Sequence, residues 1–262
     1  MGALHEGHLS LVKAARAQSD FVVVSIFVNP LQFGPNEDFS KYPRMLADDC
    51  AKLAAENVDL VFAPTKGDMY PANASTVVEV QGISDRLDGR SRPGHFKGVT
   101  TVVTKLFEIV RPELAFFGQK DAAQVAIIRK MVSDLNMDIQ IVVEPTTRER
   151  DGLAMSSRNA YLNHEQRKQA LVLHRALMRV QTAVDTGEVD SAKLAEIGKE
   201  VMAEEHGAKL DYFEIVNPDT LEAVGDVKAG ALVAVAAWIG NTRLIDNVVV
   251  HGGGKARGPS MG

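Results

Sequence analysis

The chain has 262 residues, of which 45% are hydrophobic and 24% charged, and a formal net charge of −5. Such values describe an ordinary folded chain, long enough for one large or two average domains, and they exclude the basic footprint of a nucleic-acid-binding protein. One cysteine, Cys50, rules out an intrachain disulfide, so a reducing, cytoplasmic compartment is expected. No apolar run is long enough for a membrane span, and the first residues lack the basic and apolar regions of a signal peptide.

In chain order, residues 9–19 have helical spacing, and FVVVSIFVN (21–29) is a continuous apolar run of the kind buried on both faces of a parallel sheet. A helix around 44–57, the strand DLVFAP and a short strand TVVEV (76–80) follow. The β-branched stretch GVTTVVTKLFEIVRP favours a strand by composition. Yet Val99, Val102, Val103, Leu106, Phe107 and Val110 fall on one helical face, so the spacing predicts a helix. Strand LAFFG (114–118), helix 121–136 and strand DIQIVVEP (138–145) complete a series of βα units. That series predicts an α/β fold, a Rossmann-like doubly wound parallel sheet, over residues 1–147.

The pattern changes after the polar stretch TTRERDGLAMSSRN. A long helix is predicted over 164–186, with Asn163 as its N-cap and Gln166 closing a capping box. A second helix follows Asp190, then strands LDYFEIVNP, GALVAVAAWIG and TRLIDNVVV, the last two joined through a Gly240-Asn241 hairpin. These elements predict a smaller α+β domain over 148–250. The Gly-rich tail 251–262 is expected to be disordered, and its GGGK lacks the spacing of a P-loop.

Four stretches carry candidate chemistry. His5-Glu6-Gly7-His8 has its histidines at i and i+3 with a glycine between them, which does not fit the HExxH of a zinc protease. At a helix start the pair fits phosphate binding, where backbone N–H groups, the dipole and imidazole N–H groups act together; two surface histidines in a turn is the alternative. FFGQKDAAQ (116–124) stands at the C-terminal end of a parallel strand, where open α/β sheets bind ligands. Lys120 suits phosphate there, whereas Asp121 and Gln124 can equally form a capping box. In AMSSRN (154–159), Ser156, Ser157 and Arg158 suit a polyphosphate, or simply a polar linker. FVNPLQFGPNEDFSKYPR leaves a strand end with Asn29, Gln32 and Tyr42, uncharged groups that suit a small hydroxy acid or an ordinary turn. Arg92 and His95 in DGRSRPGHFKGV add an anion contact or a solvated basic turn.

Taken in order, MGALHEGHLSLV, FVNPLQF, RPGHFKGV, FFGQKDAAQ and DGLAMSSRN resemble the pantothenate synthetase (pantoate–β-alanine ligase) family from residue 1 to about 250. His5 to His8 resembles the HIGH motif of the class I nucleotidyltransferase superfamily, and Met155 to Arg158 its KMSKS loop. The resemblance implies an AMP-forming ligase that uses ATP and Mg²⁺ to join pantoate to β-alanine, a C-terminal lid and a homodimer. It implies ATP along Met1 to His8, with His5 and His8 on the phosphates and His8 as proton donor. Gly2, Gly118, Lys120, Asp121, Met155, Ser156, Ser157 and Arg158 complete the nucleotide contacts, with the backbone near Thr147 meeting adenine. Gln32 and Gln124 are implied for pantoate; Asn29, Tyr42, Arg92 and His95 stand beside them as candidate substrate contacts on the reading of the residues alone. No direct protein ligands to the metal are implied; Asp48 and Asp49 are either helpers near Mg²⁺ or a solvated helix face.

In the family pattern a strand and a short helix precede the HxGH loop, and no counterpart stands before Met1. Without that strand two sheet edges would be exposed, so a natural start upstream of Met1 is expected. A related nucleotidylyltransferase, and a truncated copy that binds nucleotide without turnover, are the alternative readings.

Overall fold

The computed structural model describes residues 2–35 and 37–252; Met1 and most of the 251–262 tail lie outside the described residues. The chain divides into two compact units, one of residues 1–148 with 155–157, the other of 149–154 with 158–262.

Unit 1 begins with α1 (Glu6–Gln18), β1 (Val23–Ser25), α2 (Leu46–Ala55) and β2 (Leu60–Phe62). Two single-turn helices follow, α3 (Lys66–Met69) and α4 (Asp88–Ser91), then α5 (His95–Val110), β3 (Leu114–Gly118), α6 (Ala122–Asp134) and β4 (Gln140–Glu144). Short 3-10 turns occupy Pro30–Gln32 and Gln119–Asp121. The strands run parallel in two hydrogen-bonded pairs, β1 with β2 and β3 with β4, and no ladder joins the pairs among the described residues. Helix α1 packs against β3 and β4, and its Leu9, Val12 and Ala15 share a core with Leu4, Val22, Val24 and Leu53. Phe116 of β3 packs against the same cluster, so side chains connect what backbone ladders do not.

Helix α5 forms as its spacing predicts: Val99, Val102, Val103 and Phe107 are buried, and Leu106 and Val110 half-buried. Two strands differ from expectation. The apolar run 21–29 yields only the three-residue β1, because apolar character reports burial while a ladder needs a partner. TVVEV is not a strand. Thr101 Oγ1 accepts the Val78 N–H at 3.0 Å, and Thr100 Oγ1 donates to the Val78 carbonyl at 2.6 Å. Hydroxyls on α5 thus satisfy backbone groups that a neighbouring strand would otherwise take.

Unit 2 holds α7 (His164–Asp185), α8 (Ser191–Ala203) and a three-stranded antiparallel sheet of β5 (Ala208–Val216), β6 (Ala231–Ile239) and β7 (Thr242–Val250), with β6 central. Asn163 and Gln166 cap α7 reciprocally, at 2.9 and 3.0 Å. Gly240-Asn241 joins β6 to β7 as expected. Eight of the nine residues of β6 are buried, the exception being Trp238. A strand buried on both faces reads as continuously apolar, and this one does.

Candidate active site

The site grows from the start of α1. His5 is the N-cap, and its Nδ1 accepts the Gly7 N–H at 3.1 Å; His8 Nδ1 in turn accepts the His5 N–H at 3.4 Å. Two histidines thus form the capping box usually built from Ser or Thr and Glu. Since backbone N–H groups can only donate, both Nδ1 atoms are bare and each neutral ring carries its proton on Nε2. The rings lie 4.0 Å apart, tilted by 34°. Burial, then the neighbouring His5, push the His8 pKa down to about 3. His8 therefore stands as a neutral N–H donor, not as an imidazolium.

Glycine at position 7 suits this close packing. A Cβ there would lie 3.0 Å from both Cε1 and Nδ1 of His5 and 3.5 Å from Met155 Cβ. Met155 is thereby brought against the histidine turn, and its N–H donates to the Thr147 carbonyl at 3.0 Å. Thr147 Oγ1 lies 3.1 Å from Ser10 Oγ, and Ser157 Oγ donates to the Ala3 carbonyl at 3.5 Å. Three stretches far apart in sequence, 3–10, Thr147 and Met155–Ser157, meet within one unit. Lys120 pairs with Asp121 at 3.7 Å, and the charges of both act on His8, so the end of β3 faces the same place. Asp121 is the N-cap of α6 but makes no side-chain capping bond. The capping box read from Asp121 and Gln124 does not form, and the half-buried Gln124 amide is left for other use. Arg158 falls in the second unit. There Asn159 Nδ2 donates to Glu149 Oε1 at 2.8 Å and to the Ala154 carbonyl at 3.0 Å.

One contributor was not foreseen in this role. Asp49 of α2 is only 1% exposed, and its two oxygens accept the Ala3 and Leu4 N–H groups at 2.9 and 2.7 Å. Lys52, one turn on, donates to the Leu4 carbonyl at 2.7 Å. Helix α2 thereby clasps the segment that leads into His5, where Ala3 has a positive φ of 48°. Asp48 beside it is exposed.

The second cluster surrounds the 3-10 turn Pro30–Gln32. Asn29 is 3% exposed, and all its hydrogen-bonding capacity is taken. Its Oδ1 accepts the Leu31 N–H at 3.2 Å and the Tyr70 hydroxyl at 2.8 Å, while Nδ2 donates to Gln32 Oε1 at 3.1 Å and to the Gly98 carbonyl at 3.0 Å. Every donor and acceptor of the Asn29 side chain is thus engaged within the fold, and one of its bonds holds the Gln32 side chain. Arg92 grips the Glu37 carboxylate with two bonds, at 2.8 and 2.6 Å, and donates to the Gln32 carbonyl at 3.3 Å. His95 Nδ1 donates to the same carbonyl at 2.8 Å, so its Nε2 accepts from Arg92 Nη1 at 3.0 Å. Burial and the Arg92 charge hold His95 near a pKa of about 4, consistent with that neutral tautomer. Arg92 and His95 thus brace the turn. Tyr42 is half-buried, with its ring 5.8 Å from that of Phe33.

Among the described residues no group of three His, Cys, Asp or Glu is placed to hold a metal ion. Paired imidazoles at a helix start, a lysine at a strand end and a hydroxyl-bearing loop make unit 1 a phosphate-handling α/β unit of the nucleotide-using kind. The comparisons narrow this. The family described as pantoate-beta-alanine ligase matches residues 1–249. Pantothenate synthetase of Koribacter versatilis is 66% identical over 259 residues, 99% of this chain and 89% of that protein. The enzyme of Acetivibrio thermocellus is 55% identical, over 96% of this chain and 89% of its own length. The crystal structure of pantothenate synthetase from Thermus thermophilus superposes with a TM-score of 0.93 at 47% identity, covering 96% of this chain and 91% of that one. A Francisella tularensis pantoate-beta-alanine ligase complexed with beta-gamma ATP and beta-alanine matches with a TM-score of 0.77 at 37% identity, over 95% and 87%. The chain belongs to the pantoate–β-alanine ligase family, and is an enzyme that condenses pantoate with β-alanine to pantothenate.

Proposed function

We propose that unit 1 binds MgATP across the start of α1, the Gly118–Asp121 segment and Met155–Ser157, with pantoate held by Gln32 and Gln124. The convergence of the His5–His8 turn, Thr147 and Met155 carries this reading. The Francisella relative bound to an ATP analogue and β-alanine supports it.

In the first step a pantoate carboxylate oxygen bonds to the α-phosphorus and the bond to pyrophosphate breaks, giving pantoyl adenylate. An anion must approach a polyanion, so charge on the phosphates has to be offset before attack. Lys120 brings a positive charge, and His5 and His8 bring N–H donors fixed by their capping bonds. Mg²⁺, where it accompanies the nucleotide, would offset further phosphate charge, and among the described residues no cluster of His, Cys, Asp or Glu would hold it directly. Gln32 and Gln124 orient the carboxylate without adding negative charge. In the second step the β-alanine nitrogen bonds to the pantoyl carbonyl carbon, AMP leaves with the C–O electrons, and the amine gives up a proton.

The substrates are pantoate, β-alanine and ATP, and the net charge of −5 supports no nucleic-acid partner. Among the described residues no helix is long and apolar enough to cross a membrane. The reading extends to a cytoplasmic homodimer, as in the family resemblance. The test is exchange of labelled pyrophosphate into ATP with Mg²⁺ present and β-alanine absent. Exchange that requires pantoate is expected; nucleotide binding without exchange, in folded protein, would sink the adenylate reading.

A further inference from the structure

We infer that Tyr70, Asn29 and the Gly98 carbonyl fix the polarity of the Gln32 side chain, so that its outer end presents the NH2 group to the ligand. Amide oxygen and nitrogen look alike in outline, and their assignment must come from partners whose roles are unambiguous. Two such partners flank Asn29. The Leu31 N–H can only donate and the Gly98 carbonyl can only accept, so Asn29 must turn Oδ1 to the first and Nδ2 to the second. Tyr70, its phenol pushed up to about 12 by burial, stays protonated and donates to the same Oδ1. The Asn29 Nδ2 therefore has a second hydrogen directed at Gln32, and the Gln32 atom 3.1 Å away must be the acceptor, Oε1. By elimination the outer end of Gln32 is its NH2 group, for which the described residues provide no partner.

The backbone is pinned as firmly as the amide. His95 and Arg92 both donate to the Gln32 carbonyl. Helix α5 meets the turn at Gly98, where a Cβ would lie 2.3 Å from the Leu31 carbonyl oxygen and 2.6 Å from the Gln32 nitrogen. Gln32 can neither flip its amide without opposing like groups nor swing its backbone away. The ligand atom that meets this NH2 must be an acceptor: a carboxylate oxygen, or a hydroxyl oxygen that passes its own proton to another group. Tyr70, 41 residues from Asn29 in sequence, is thereby a positioning residue for substrate selection.

This rests on the reading that Gln32 touches pantoate, and the experiment separates the two. KM and kcat are measured for pantoate and for MgATP in the full chain and in Gln32→Ala, Gln32→Glu and Tyr70→Phe, with thermal unfolding as the control for folding. Gln32→Glu keeps the acceptor that meets Asn29 and replaces only the outward NH2 by an anionic oxygen. It is expected to raise KM for pantoate at least tenfold above Gln32→Ala, with KM for MgATP unchanged. Tyr70→Phe is expected to raise KM for pantoate three- to tenfold, whereas a purely structural loss would lower Tm or kcat and leave KM alone. Gln32→Glu binding pantoate better than Gln32→Ala would overturn the assignment of the outward NH2. An unmoved KM in Tyr70→Phe would remove Tyr70 from it. A KM for pantoate unmoved in Gln32→Ala would place Gln32 outside the site and overturn the underlying reading as well.

Discussion

The two units are held together by different means. Unit 2 rests on a nine-residue central strand paired on both sides and covered by the aliphatic face of α7. Unit 1 has ladders of only three and five residues, and its irregular segments are tied down by single buried side chains: Asp49 on Ala3 and Leu4, Asn29 on Gln32 and Gly98, Thr100 and Thr101 on Val78. Of the six non-glycine residues with positive φ among those described, five lie in unit 1. Close-packed aliphatic ladders give stability that no single atom controls, whereas polar ties fix particular atoms in particular places. A site needs the second kind, and its sensitivity to conservative change follows.

The sharpest separation should come from Leu177→Ala in α7, where the side chain is fully buried. A cavity there should cost about 2–5 kcal/mol of unfolding free energy in chemical denaturation. KM for pantoate and for MgATP should stay unchanged below the new Tm; a shift in either would show that the two kinds of support are not independent. Asp49→Asn should cost less, about 2 kcal/mol, because one of the two backbone N–H groups then faces an amide NH2 instead of an oxygen. Its kinetic effect should nonetheless exceed that of Leu177→Ala, with KM for MgATP raised as the His5 turn loosens.

The smallest effect expected, taken for one group over one pH unit, is that of acid. His8 and His95 have folded pKa values of about 3 and about 4 against an ordinary 6.5, so between these limits the unfolded chain binds protons that the folded chain does not. Stability should therefore fall as pH drops from 6.5 toward 4, by about 1 kcal/mol per pH unit for each histidine. Replacing His95 by Asn should flatten part of that slope. An unchanged slope would mean that His95 is not held neutral in the fold.

How much of this was legible in the sequence depended on the range of the forces involved. Helix α5 was readable despite its β-branched residues because its apolar spacing is local, as was the α7 capping box, which spans three residues. The order of the motifs was enough to mark His5, His8, Gln32, Lys120 and Ser157 for attention. TVVEV was misread because its hydrogen bonds come from threonines more than twenty residues away. Asp48 and Asp49 were indistinguishable in the sequence, since which of two adjacent acids faces inward is decided by a chain segment 45 residues distant. The saturation of Asn29 was hidden for the same reason: it depends on Tyr70 and Gly98, which no local pattern connects to it.

The division at Met155–Ser157 has a consequence for anyone who would splice this enzyme with a relative. The chain passes from one unit to the other three times between residues 148 and 158. A single joint anywhere in that stretch would give at least one unit a foreign piece of its own interior. A hybrid that keeps both units native must be stitched at all three passages, with 155–157 inherited alongside the first 148 residues.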